Sequence, residues 1–360
     1  MRKRLRRAVL AACSLVGLVF LLYIGAVVTI GSLDLIAQAQ TDQAAPDAVA
    51  APESDSDIWR DIRSGVQGYV SIPDKQAGVL IQSGGESWRN FRNGPMSVWG
   101  GWAMLGTIAV LALFFALRGR IRIERGPSGE RVERFNLAER FAHWLTAVSF
   151  IVLALTGLNI LYGRYVLKPL IGPEAFAWIT QMGKFAHNYI AFAFMLGLLL
   201  IFVMWVLHNI PNRQDLTWLA KGGGMFRKGV HPPARKFNAG QKLLFWAVIL
   251  GGVSLSLSGI ALMWPFEFSF FGHTFGFLNI FGFGLPADLT PMEEMQLSQA
   301  WHGIVALLMV AVIIAHIYIG SLGMEGAFDA MGSGMVDKNW AREHHNLWVA
   351  EIENRPRSPA

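Results

Sequence analysis

Six uncharged runs, each long enough to cross a bilayer as one helix, dominate this 360-residue chain. A hydrocarbon core of about 30 Å takes about 20 apolar residues at about 1.5 Å of helical rise each. The runs are Ala8–Gly31, Met96–Leu117, Phe141–Gly163, Phe185–Ile210, Leu243–Trp264 and Trp301–Leu322. In lipid each backbone polar group must be satisfied within its own helix or in a closed barrel, so such runs read as helices and the chain as an all-α integral membrane protein. Charged residues make up 16% of it, against about 25% in a soluble domain. They lie in blocks between the runs, which excludes the basic surface of a nucleic-acid binder. The single cysteine, Cys13, excludes a disulfide framework, a Cys-rich metal site and a CxxCH haem attachment within this chain.

The blocks also set direction, because Lys and Arg in short loops favour the cytoplasmic side. Seven Arg fall between Arg118 and Arg140, and seven Lys or Arg against one acid between His208 and Lys242. The Pro265–Leu297 loop has four acids and neither Lys nor Arg. The N-terminus, residues 118–140, residues 211–242 and the tail are therefore expected in the cytoplasm, and residues 32–95, 164–184 and 265–297 outside. The C-terminus is thus expected in the cytoplasm. Residues 1–39 read as a signal peptide or signal anchor, since MRKRLRR precedes the first run and Ala37-Gln38-Ala39 fits a small-residue cleavage site. Residues 40–95 read as a partly disordered periplasmic tether, 96–117 as an extra span, 118–137 as a basic linker, 138–325 as the core and 326–360 as a tail.

Two helix starts are legible, Asn136 with Glu139 and Asn238 with Gln241, each a capping-box pattern. RFNLAERFAHW and KFNAGQKLLFW align at an offset of 102, which also carries Thr156-Gly157 onto Ser258-Gly259. This reads as a weak duplication of a two-helix unit.

Ionisable residues at membrane depth are costly and mark function, and four histidines qualify: His143, His187, His302 and His316. His302 and His316 are 14 residues apart on one run. At about 100° and about 1.5 Å per residue they return to within about 40° of one face after about 21 Å of rise. Span directions put His143 and His316 near the cytoplasm, and His187 and His302 near the outside. Two stacked bis-imidazole sites are the arrangement of a dihaem b electron wire, while zinc would need further acidic or thiolate ligands that the spans lack. A lone buried histidine is more often a packing residue, but four that pair by depth are harder to explain so. His208 is the competitor, about 31 Å along the helix from His187 and hence at the interface. His231, His273, His344 and His345 fall in loops or the tail and receive no role. Arg140 and Lys184, each three residues before a proposed ligand, either pair with haem propionates or snorkel to the interface. Gly157 would let a macrocycle approach at the depth of the outer pair.

RFAHW, GKFAHNYIA, HNIPNRQD, KFNAGQKLLFW, WHG, IAHIY and REHHNLW…EIE together resemble the gamma subunit, a cytochrome b, of membrane-bound respiratory formate dehydrogenases, over roughly residues 131–355. The resemblance implies a four-helix dihaem core in a bacterial inner membrane; residues 1–130 depart from the shorter family members and add a signal-like segment, a tether and one or two further spans. It implies two haem b groups on His143, His316, His187 and His302, an iron–sulfur beta subunit feeding the outer haem, and a molybdenum or tungsten pterin alpha subunit that oxidises formate. It also implies quinone reduction near the inner haem, with Asn238, Gly240 and Gln241 matching the quinone-contacting stretch. The alternatives are a cytochrome b of a nickel–iron hydrogenase, or a haem-free membrane anchor or transporter. The absence of Asp, Glu, Lys and Arg from the span interiors weighs against a transporter.

Overall fold

The computed structural model describes residues 83–354. The proposed leader or anchor, the run Ala8–Gly31, the tether up to residue 82 and residues 355–360 lie outside the described residues. Among the described residues five helices are long and apolar enough to cross a membrane: Gly84–Arg118, Leu137–Val166, Pro173–His208, Ala239–Met263 and Pro291–Gly323. They contain most of each of the last five uncharged runs, and several extend past them by whole turns.

The first comprises α1 (Ser83–Phe91) and α2 (Ser97–Arg118), joined by a π-helical turn, Arg92–Met96, that contains Pro95. Proline lacks the amide proton that an α-turn uses there. Residues 83–91, expected as the end of a tether, are thus helical. The others are α3 (Leu137–Val166), the short α4 (Lys168–Ile171), α5 (Pro173–Trp205), α6 (Arg213–Ala220), α7 (Ala239–Met263), α8 (Phe270–Asn279) and α9 (Pro291–Tyr318). A π turn, Ile319–Gly323, ends α9, and α10 (Asp329–Gly332), α11 (Lys338–His344) and α12 (Asn346–Glu353) follow.

Both expected capping boxes form. The Asn136 side chain accepts from the Glu139 amide at 2.9 Å while the Glu139 carboxylate accepts from the Asn136 amide at 3.0 Å. Asn238 and Gln241 repeat the exchange at 2.9 and 3.1 Å. Residues related by the 102-residue offset also meet: Arg134 donates to the Lys236 carbonyl at 2.6 Å, and the Phe135 and Phe237 rings are 5.7 Å apart.

The chain divides into two compact units, the first holding residues 100–256 and 305–354 of those described, the second 83–99 and 257–304. In the first, α3 and α5 form an antiparallel hairpin whose close approach depends on Gly197. A Cβ there would stand 3.0 Å from the Thr146 backbone nitrogen, which cannot move without moving α3. Phe150, Phe194, Leu198, Ile249 and Met309 fill the interior, and a triangle of Phe135, Trp205 and Phe237 closes one end. Phe141, Leu155, Leu199, Val203 and Leu308 stay exposed, as the lipid-facing side of a membrane bundle must be.

The segments expected as linker and tail fold onto one another. Strand β1 (Arg131–Glu133) pairs antiparallel with β2 (Met335–Asp337), in register Val132 to Val336. Glu343 accepts the amides of Glu124 and Arg125, and Glu325 accepts that of Ile123. In the second unit α8 buries Phe271, Phe275 and Leu278, and the buried Glu294 carboxylate accepts the first amides of α8 from Phe271 and Gly272.

Candidate functional site

His143 enters near the start of α3 and His316 near the end of α9, both in the first unit. Their ring centroids are 6.2 Å apart with planes at 67°. Two imidazoles bound through nitrogen on opposite sides of one metal, at about 2.0 Å per bond and about 1.1 Å from nitrogen to ring centre, have centroids about 6.2 Å apart. Trp144 packs edge-on against His143 at 5.3 Å and is tied by its indole N–H to the Met331 carbonyl at 3.0 Å. The buried Nδ1 of His143 has no hydrogen-bond partner among the described residues. Three residues past His316 the helix widens into the π turn at Ile319, a distortion common at functional sites.

Both histidines line a cavity of ≈1590 Å³ contained in the first unit. A pocket for one small ligand is about 300–1,000 Å³, so this one has room for a macrocycle and a second ligand. Its mostly apolar wall includes Phe150, Phe194, Ile201, Val248, Met309 and Ile313. Among the described residues no group of three or more His, Cys, Asp or Glu could hold a metal ion. The donor set is therefore two neutral imidazoles facing a large apolar space, which fits an iron whose other ligands come from a porphyrin.

Asn238, Gly240 and Gln241 line the same cavity. The two amide side chains spend their oxygens on the capping box of α7, which leaves their NH₂ groups as the donors either could offer a carbonyl. Gly240 has a packing reason of its own: a Cβ there would lie 2.9 Å from the Trp218 ring.

The Arg140 guanidinium donates to the carbonyls of Met331, Gly332 and Ser333, at 3.2 Å and 3.1 Å for the first and last. Carbonyls at the end of a helix need donors, and a guanidinium one turn before His143 supplies them at the end of α10, so it ties the tail to the start of α3. Lys184 is exposed on α5, one turn before His187. His208 sits exposed at the end of the Pro173–His208 helix, away from the cavity wall.

The cavity wall also contains residues to which the sequence reading gave no role: Arg134, His231, His344 and His345. The Arg134 guanidinium is boxed by Phe135, Trp340 and Trp348 at 5.2–5.3 Å, and burial pushes it down to about 9. Burial likewise pushes His344 down to about 4, with His231 and Arg134 adding to the effect. His345 Nδ1 donates to the Arg235 carbonyl, 2.7 Å away; a carbonyl only accepts, so Nδ1 is the protonated nitrogen. The adjacent His344-His345 pair in an otherwise charged tail was the signal available.

On α5, His187 Nδ1 lies 2.8 Å from the Thr156 hydroxyl of α3, and a Cβ added at Gly157 would stand 3.5 Å from His187 Cε1. In the second unit, His302 Nδ1 lies 2.9 Å from the Ser258 hydroxyl of α7, and a Cβ at Gly259 would stand 3.4 Å from His302 Cε1. Gly157, singled out for its depth, thus lies against the His187 ring.

Comparison with known proteins places the chain among membrane cytochromes. Residues 134–334, more than half of the chain, match the family described as prokaryotic cytochrome b561. The nitrate-inducible formate dehydrogenase cytochrome b556 subunit of Escherichia coli K12 is 26% identical over 230 residues, covering 62% of this chain and 92% of that protein. A second E. coli K12 formate dehydrogenase cytochrome b556 subunit is 27% identical over 224 residues, covering 62% and 94%. The formate dehydrogenase cytochrome b556 subunit of Haemophilus influenzae is 27% identical over 230 residues, covering 61% and 83%.

Proposed function

Starting from the fact that the chain belongs to the prokaryotic cytochrome b561 family, we propose that it is the membrane cytochrome b subunit of a formate dehydrogenase complex. It passes electrons from an iron–sulfur subunit outside the membrane, through two b haems, to a quinone reduced near the cytoplasmic side. The relatives in E. coli and H. influenzae carry that description. The observation that carries the reading is the 6.2 Å pair of His143 and His316 facing a cavity shared with Asn238, Gly240 and Gln241.

His143 and His316 hold the inner haem, His187 and His302 the outer one; the second pairing rests on the depth at which the spacing of the sequence puts them. When bound, haem supplies a one-electron carrier, and the protein tunes it through axial ligands, hydrogen bonding and burial. The chain's own residues do the rest. Apolar walls exclude water, Trp144 fixes the His143 ring from one edge, and the NH₂ groups of Asn238 and Gln241 would be the donors for a quinone carbonyl. Protons for the quinone come from the cytoplasmic side, so inward electron transfer builds a membrane potential. Formate oxidation belongs to a molybdenum or tungsten pterin subunit of the complex.

Deleting the chain tests this. Membranes without it should retain formate oxidation with an artificial dye as acceptor and lose formate-dependent quinone reduction to background. Reduction of the b haems by hydrogen and not by formate would assign the chain to a hydrogenase instead.

A further inference from the structure

Two hydroxyl groups stand where the internal duplication puts them. Thr156 on α3 and Ser258 on α7 occupy equivalent positions, 102 residues apart, and each meets the Nδ1 of a different histidine, at 2.8 Å for His187 and 2.9 Å for His302. Each is followed by a glycine whose backbone lies against the Cε1 edge of the same ring. A hydrogen bond and a bare backbone on one imidazole, found twice on equivalent residues, make a recurring device.

The direction of the bond is determined by counting protons. The Thr156 hydroxyl has one, and it goes to the Val152 carbonyl at 2.8 Å, with the Leu153 carbonyl sharing it at 3.1 Å. Toward His187 the hydroxyl can only accept. The His187 Nδ1 therefore carries the ring proton, which makes Nε2 the nitrogen whose lone pair a metal would take. The equivalent Ser258 hydroxyl lies 2.9 Å from His302 Nδ1. His143 differs, since its buried Nδ1 has no partner among the described residues.

We propose that Thr156 and Ser258 are positioning residues that hold His187 and His302 as Nδ1–H tautomers and set the outer haem at a lower potential than the inner one. The inference rests on the dihaem reading above. A hydrogen bond accepted from Nδ1–H gives the imidazole more anionic character and strengthens donation from Nε2, which favours the oxidised iron. Two such bonds on the outer pair, against an unpartnered Nδ1 on His143, slope the path downhill from outside to inside. The same contacts orient the rings, and losing second-shell partners of this kind typically weakens metal retention by about 10–100-fold.

The test is a redox titration, with electron paramagnetic resonance of the oxidised protein, on the purified haem-loaded chain carrying Thr156→Val, Ser258→Ala, both, or Thr156→Ser. Thr156→Val keeps the volume and removes the acceptor. It should raise the midpoint potential of the outer component, shift its low-spin signal and leave the inner component in place. Ser258→Ala should act in the same direction, the double variant further, and Thr156→Ser should titrate like the parent. Should Thr156→Val fail to accumulate, Ser258→Ala reads the same effect from the other unit. Fully loaded Thr156→Val and Ser258→Ala proteins with both potentials unchanged would overturn the inference and leave the dihaem reading standing. A parent chain that binds no haem would remove that reading itself.

Discussion

Alanine at His143 and alanine at His316 should each delete the same b-type spectral component and leave the other at full amplitude. Both imidazoles face one cavity, with centroids 6.2 Å apart, so either truncation leaves an iron with one axial ligand in an apolar space. Quinone reduction should fall to background in both variants, because the lost carrier is the one beside Asn238 and Gln241. His187→Ala and His302→Ala should delete the other component, and here too as a pair. The decisive pattern is the partition: 143 with 316, 187 with 302. Low-temperature difference spectra resolve it, and a His143→Ala protein that loses the component lost by His187→Ala would refute the pairing by depth.

A second large effect is expected at Glu139, which does not line the cavity. Its carboxylate accepts from Lys236 Nζ at 2.6 Å, from the Trp205 indole at 2.9 Å and from the Asn136 amide at 3.0 Å. It thereby ties the start of α3 to the end of α5 and to the segment leading into α7. Removing one member of a buried, hydrogen-bonded ion pair leaves the other uncompensated, at a cost of about 3–5 kcal/mol. Glu139→Ala should lower stability by that order in chemical denaturation of the detergent-solubilised chain. Glu139→Gln, which can still close the capping box, should cost less. Adding Lys236→Met to Glu139→Ala should recover part of the loss, since no orphaned ammonium remains. A loss below about 1 kcal/mol for Glu139→Ala would mean that water reaches the pair and screens it.

Much of the bundle could be read before any coordinates because lipid imposes simple rules. The five uncharged runs within the described residues are helices, and the Asn136 and Asn238 caps formed where the pattern put them. The 102-residue offset marked pairs that meet in space, Phe135 with Phe237 among them. What escaped was decided by partners remote in the chain. β1 and β2 are three residues each, too short for an alternation to register. The carbonyls that Arg140 meets lie 191 to 193 residues later. His344 and His345 looked like surface residues of a polar tail, because nothing local reveals that the tail folds back to wall the cavity. Thr156 and Ser258 were visible as a repeat, but which histidine each would meet depended on how neighbouring helices are rotated.

The account stands or falls on haem. A pyridine haemochrome assay on the purified full chain, normalised to protein, measures it most directly. Two b haems per chain are expected, falling to one in His143→Ala and in His187→Ala. A chain that purifies folded with no haem, or that keeps both haems in those variants, would contradict it.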